Sequence, residues 1–212
     1  ENVPKEKGSA KRNITIAYLL DGNGFKNEEA KQTSEVGKWL ALVQEEAQNK
    51  LKKKFEVEIT FVITEINITD SDLTEKIIHM SSGSLIHATT FLDHIKSYYQ
   101  TRENPDIICV ITKHAMCDED RVGYLAYFKH NTLCEAMVPM LLTYNQTKTD
   151  AGERLSLLVE KSTNSDKARS QKESFNTPSK KNQWKKYFKD CNKPKKVKNN
   201  KSRQPIQSYP PQ

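Results

Sequence analysis

No histidine follows His130, and nowhere do two cysteines stand in a Cys-x-x-Cys pair. A zinc site would have to gather Cys109, Cys117, Cys134 and Cys191 from distant parts of the chain, so a compact local zinc knuckle is excluded. Long hydrophobic runs are missing too. The longest, residues 107–111 and 138–142, fall far short of the roughly 20 residues of a membrane span, and the sequence predicts a soluble chain. No glycine-rich phosphate loop is present: Asp21-Gly22-Asn23-Gly24-Phe25-Lys26 lacks the third glycine and the Lys-Ser/Thr pair. Ser156 has no Gly-x-Ser-x-Gly elbow, and Cys117 has no recognisable nucleophile context. Neither an internal repeat nor an RNA-binding signature occurs.

What is abundant is lysine near the end. Residues 178–203 hold ten Lys and one Arg against Asp190 alone, a charge of +10 in a chain of +7, which leaves the rest at −3. The basic character therefore belongs to an appendage. Lys180, Lys181, Lys185, Lys186, Lys189, Lys193, Lys195, Lys196 and Lys198 invite an anionic glycan or phospholipid surface through Coulomb attraction and counterion release. Trp184, Tyr187 and Phe188 among them have helical i, i+3, i+4 spacing. That spacing suits insertion at a membrane interface and equally a helix near 181–191 docked on the body. Nucleic acid is the competing polyanion, but the acidic body argues against a specific nucleic-acid function.

Ahead of the appendage the chain reads as one domain. Residues 1–12 are a polar, flexible lead, residues 13–161 the folded body, 162–177 a polar linker and 178–212 the basic tail. Residues 13–20 are β-branched and end on a turn, a first strand. Residues 28–53 place Val36, Leu40, Val43, Ala47 and Leu51 on one helical face. Residues 55–66 alternate apolar and polar as a strand with one wet face. After a polar, irregular stretch over 67–83, residues 84–99 form a second helix with Leu85, Ala88, Leu92, Ile95 and Tyr99 inward. Residues 106–112 are a doubly covered central strand, and 122–128 and 136–144 two more strands, the latter placed at an edge or bulge by Pro139. Residues 150–161 close the body as a short helix capped by Asp150. Helical crossovers between early strands predict an α/β fold: a mixed, mostly parallel five-stranded sheet with flanking helices.

Four sequons begin at Asn13, Asn67, Asn145 and Asn200, and the cysteine count is even. Together they favour a secreted, extracellular glycoprotein with disulfides, and the start at Glu1 then fits a removed signal peptide. If all four cysteines are bridged, three pairings are open.

The order of elements and the residues that mark it resemble the catalytic domain of reprolysin-type metzincin metalloproteases, most closely their tick salivary branch. Residues 13–22 resemble that family's first strand, residues 55–67 its second and residues 85–99 its second helix. That helix leads into the strand at 104–112. Val122-Gly123-Tyr124-Leu125-Ala126-Tyr127-Phe128, followed by Cys134, resembles the family's edge strand and cysteine. The similarity spans roughly residues 13–160. It implies a helix bearing His-Glu-x-x-His-x-x-Gly-x-x-His, two His one turn apart on zinc and a Glu as general base. The matching stretch here, Glu153 to Ser162, has no histidine.

The family's metal ligands therefore have no counterpart, and Glu153 or Glu160 would have no metal-bound water to deprotonate. Nor do the remaining histidines rebuild a zinc site. His87 and His94 are two helical turns apart, roughly 10 Å, and His114 with His130 lacks a third ligand. The expectation is a protein without catalytic residues, metal or cofactor. The resemblance further implies a salivary effector that binds a host protein or receptor to modulate immune or haemostatic responses, with a Cys134–Cys191 disulfide. The readings set against it are a zinc protease with an unrecognised site and a nucleic-acid binder.

Overall fold

The structure, a computed structural model, describes residues 11–145, 150–170 and 179–193. Along the chain run β1 (Arg12–Leu20), α1 (Glu35–Phe55), β2 (Ile59–Ile68), α2 (Ser71–His79), β3 (Ser81–Ser82), β4 (Leu85–His87), α3 (Ala88–Tyr99), β5 (Ile107–Thr112), β6 (Ala115–Cys117), β7 (Val122–Tyr124), β8 (Ala126–Phe128), β9 (Val138–Thr143), α4 (Ala151–Ser162), α5 (Ser165–Ser170) and α6 (Lys180–Tyr187). Five strands make the main sheet in the order β2-β1-β5-β9-β8. Every pairing is parallel except β8 with β9.

Alternation along the strands divides the sheet into two covered faces. Ile14, Ile16, Tyr18 and Leu20 of β1, with Ile107, Cys109 and Ile111 of β5, join the core against α1, α4 and α6. Ala17 and Leu19 of β1, with Ile108 and Val110 of β5, join the core against α2 and α3. Both faces are covered, which is why β5 and β9 are buried at all six positions and read as unbroken apolar runs. A second, small sheet in the order β3-β4-β6-β7 packs at the α3 side.

Several boundaries differ from the sequence reading, each for a local reason. The first helix begins at Glu35 because the Ser34 hydroxyl accepts the Gly37 amide at 3.0 Å, while residues 27–29 form only a short 3₁₀ turn. Phe55 belongs to α1, one turn beyond Leu51, and Glu56 ends the helix in the left-handed region at φ 58°. Residues 67–83 are not irregular: β2 runs to Ile68, and Asp70 caps α2 by accepting the Leu73 amide at 2.9 Å. The second helix starts at Ala88, because residues 85–87 pair as β4.

The stretch 122–128 splits between the two sheets, β7 in the small one and β8 in the large. Pro139 does not mark an edge; β9 lies between β5 and β8. Val138 donates to Asp106 on the β5 side and Thr143 to Leu125 on the β8 side, so the Pro139 nitrogen faces β8. Pairing there stops at Phe128 opposite Met140, and no ladder bond is lost. Asp150 makes no side-chain cap; its carboxylate lies 3.7 Å from Arg154 instead. Part of the expected linker is the helix α5, with Ala168 buried, and Arg12 of the expected lead already belongs to β1. Residues 1–10 and 171–178 lie outside the described residues.

Candidate functional site

Two regions could carry function: the helix α4, where the resemblance would put catalysis, and the basic segment around α6. Helix α4 lies along α1. At Gly152 a Cβ would stand 2.5 Å from the Glu46 Cβ, so the two helices meet with no room for a larger side chain. Glu153 is 3.5 Å from Lys50 and Glu160 is 2.6 Å from Lys54, both pairs bridging an open groove floored by Leu51, Ser156 and Leu157. These half-exposed pairs contribute about 0–1 kcal/mol each. Both carboxylates that could have served as a base are thus turned to lysines of α1.

The five histidines are dispersed. His79 ends α2, His87 precedes α3 and His94 lies within it, while His114 follows β5. His130 stands 3.8 Å from Asp93. Among the described residues no three His, Cys, Asp or Glu side chains gather as a metal-binding set.

The basic segment is built into the body. Ser179 opens α6 by accepting the Asn182 amide, and Trp184 and Phe188 pack on Phe55 with ring centroids 4.5 and 5.1 Å away. Tyr187 is 1% exposed; its hydroxyl accepts the Asn164 amide at 3.0 Å and donates to the Leu133 carbonyl. Burial pushes the Tyr187 phenol up to about 12. Cys134 and Cys191 are disulfide-bonded, whereas Cys109 and Cys117 are free thiols, so the even cysteine count does not mean complete pairing. The Asn192 amide donates to Asp106 Oδ2 at 2.9 Å, and Arg12 Nε donates to the Lys185 carbonyl at 2.9 Å.

The segment therefore turns its aromatics inward and its charge outward. Lys180, Lys181, Lys186, Lys189 and Lys193 are exposed, and Lys185 is half-buried. Among the described residues, Lys193 alone of these lies within ion-pair distance of an acid, Asp190 at 2.8 Å. Lys52 and Lys53 are exposed in the last turn of α1, the helix whose Phe55 receives α6, although Lys53 lines the groove toward α4. Lys195, Lys196, Lys198 and Asn200 lie outside the described residues.

Of the other sequon asparagines, Asn13 is exposed in β1 and Asn67 is exposed in the edge strand β2, its amide donating to Glu65 at 2.7 Å. Asn145 is half-buried, and its carbonyl accepts the Trp39 indole at 3.2 Å. No helix among the described residues is long and apolar enough to cross a membrane.

No protein-family model matches the chain, and no curated protein matches it. Among solved structures it is similar to archaemetzincin from Methanopyrus kandleri, at 9% identity and a TM-score of 0.38, over 65% of this chain and 59% of that one. The chain thus spans less than two thirds of that protein's length, and a likeness this slight carries no argument about chemistry.

Sequence reasoning missed the grouping of Ser82, His87 and Cys117. No local motif signals it, because the three residues lie on three short strands brought together only by the small sheet.

Proposed function

We propose that this is a secreted, non-catalytic binding protein that its lysine-rich face concentrates on sulfated glycans. From that surface it would act as a salivary-type effector, binding a host protein or receptor and modulating immune or haemostatic responses. The observation that carries the polyanion reading is the docked segment 179–193, six lysines against Asp190, a charge of +5 fixed to the body by a disulfide and three inward-facing aromatics.

Glycan is favoured over lipid by the same geometry. Insertion at a membrane interface needs aromatic rings at the surface. Tyr187 and Phe188 are each 1% exposed, and Trp184 lies on Phe55. The non-catalytic part of the proposal rests on α4, whose acidic residues face lysines and whose sequence offers no imidazole.

Heparin chromatography of the full chain tests the reading. Replacing Lys180, Lys181, Lys185, Lys186 and Lys189 by glutamine should move elution to markedly lower salt, and removing residues 194–212 should do so further. Retention unchanged by both alterations would overturn it. Incubation with zinc followed by desalting and elemental analysis checks the other half; a stoichiometric ion with chelator-sensitive peptide cleavage would replace the binding protein by an enzyme.

A further inference from the structure

The small sheet assembles a thiol, an imidazole and a hydroxyl that no part of the reading above uses. Strands β4 and β6 run parallel with His87 opposite Cys117, and the Cys117 sulfur lies 3.5 Å from His87 Nδ1. On the far side of the ring, His87 Nε2 is 2.8 Å from the Ser82 hydroxyl. Antiparallel pairing of β3 with β4 returns Ser82 to that position, and the His87 amide is anchored on the Met80 carbonyl at 2.8 Å. His87 occupies the cap position of α3 yet makes no side-chain cap, which leaves its ring to the thiol and the hydroxyl.

The strand end that carries Cys117 is held by its surroundings. Register between β6 and β7 shifts between Met116 and Cys117, with Gly123 the extra residue on the β7 side. Asp118, next in the chain, accepts the Asp120 and Arg121 amides at 3.0 and 2.8 Å. Its other oxygen accepts the Tyr127 hydroxyl at 2.9 Å, and that hydroxyl lies 3.2 Å from Thr89 in the first turn of α3. Tyr127 thereby ties the loop after Cys117 to the helix that follows His87. Both free thiols are buried, but to different depths: Cys117 is 5% exposed beside the exposed His87, whereas Cys109 is 0% exposed in the middle of β5, where burial pushes it up.

We propose that Cys117 is a reactive thiol that captures an external disulfide, with His87 as its base and Ser82 holding the imidazole. In the step, the Cys117 proton passes to His87 Nδ1 and the thiolate attacks one sulfur of the incoming disulfide. A new sulfur–sulfur bond forms at Cys117 while the old one breaks. The proton on His87 then passes to the departing thiolate or, where that thiolate is the weaker base as with an aromatic one, to solvent, so Cys117 is oxidised and the departing half is reduced. Cys134 and Cys191 are already joined and Cys109 is in the core, so no described thiol is placed to resolve the adduct, and the product is a lasting mixed disulfide. The reaction is stoichiometric, and it does not depend on the glycan reading.

Native full-length protein treated with an aromatic disulfide whose released thiolate absorbs visible light provides the test. One equivalent should be released per folded chain, with the added mass on Cys117, and two in denaturant, which counts both free thiols. Cys117→Ser should abolish the native release and Cys109→Ser should leave it. His87→Gln should slow it at least about tenfold at neutral pH and shift the rate to the pH profile of an unassisted thiol. Ser82→Ala should slow it less. Because His87 is exposed, its variant should melt with the wild type, which separates lost reactivity from lost fold. A folded wild type that releases nothing, release that survives in Cys117→Ser, or an unchanged rate in His87→Gln would each overturn the proposal.

Discussion

Asp106, 1% exposed, is where three distant segments meet. Its Oδ2 accepts the amide and the hydroxyl of Thr15 in β1, each at 2.9 Å, and the Asn192 amide of the docked segment at 2.9 Å. Replacing it by alanine strands partly buried donors, each costing about 1–3 kcal/mol, so Asp106→Ala should lower unfolding stability by several kcal/mol in urea titration. A loss under about 1 kcal/mol would mean that these donors find water instead. His130 makes a milder prediction. Burial, with Lys96 next in weight, holds its ring below the ordinary 6.5. The unfolded chain therefore takes up the proton first, and the stability His130 contributes is present above pH 6.5 and lost as pH falls through the lowered value. His130→Gln should flatten the decline of melting temperature between neutral and mildly acid pH, by an amount scanning calorimetry can read.

Among the elements, the contact of α1 with α4 rests on the missing side chain of Gly152. An alanine there drives its Cβ to 2.5 and 2.9 Å from the Glu46 Cβ and Cγ and must part the helices, so Gly152→Ala should cost about 1–3 kcal/mol by overpacking, measured by chemical denaturation. Glu56 predicts the reverse sign. It holds φ 58° at the end of α1, a conformation glycine adopts without a Cβ penalty, and Glu56→Gly should be neutral or stabilise by up to about 1 kcal/mol.

Elements of this scale were legible in the sequence where periodicity was long. The stripe Val36, Leu40, Val43, Ala47, Leu51 gave α1 its core face, and the apolar run at 107–112 gave β5 its central place. Short pairings were not legible. Strands β3, β4, β6 and β7, of two or three residues each, are defined by their partners rather than by any repeat of their own, and the Ser82–His87–Cys117 grouping is hidden with them. Pro139 misled because a proline's cost depends on which side its nitrogen faces, which only the register shows.

At the scale of the whole molecule, charge and packing are separable properties of one segment. The Cys134–Cys191 bond spans 57 residues of sequence, and closing a loop of that size removes chain entropy from the unfolded state worth about 4 kcal/mol. Cys191→Ser should therefore lower the melting temperature by roughly 8–16 °C, at about 2–4 °C per kcal/mol for a domain of this size. Elution from heparin should scarcely move, because the lysines remain on the chain and the packing of Trp184, Tyr187 and Phe188 around Phe55 still seats the segment at temperatures below the melt. If the variant instead lost glycan retention while keeping its melting temperature, the bond would serve to shape the charged face rather than to hold the domain, and the lysines would act through their exact arrangement rather than their number.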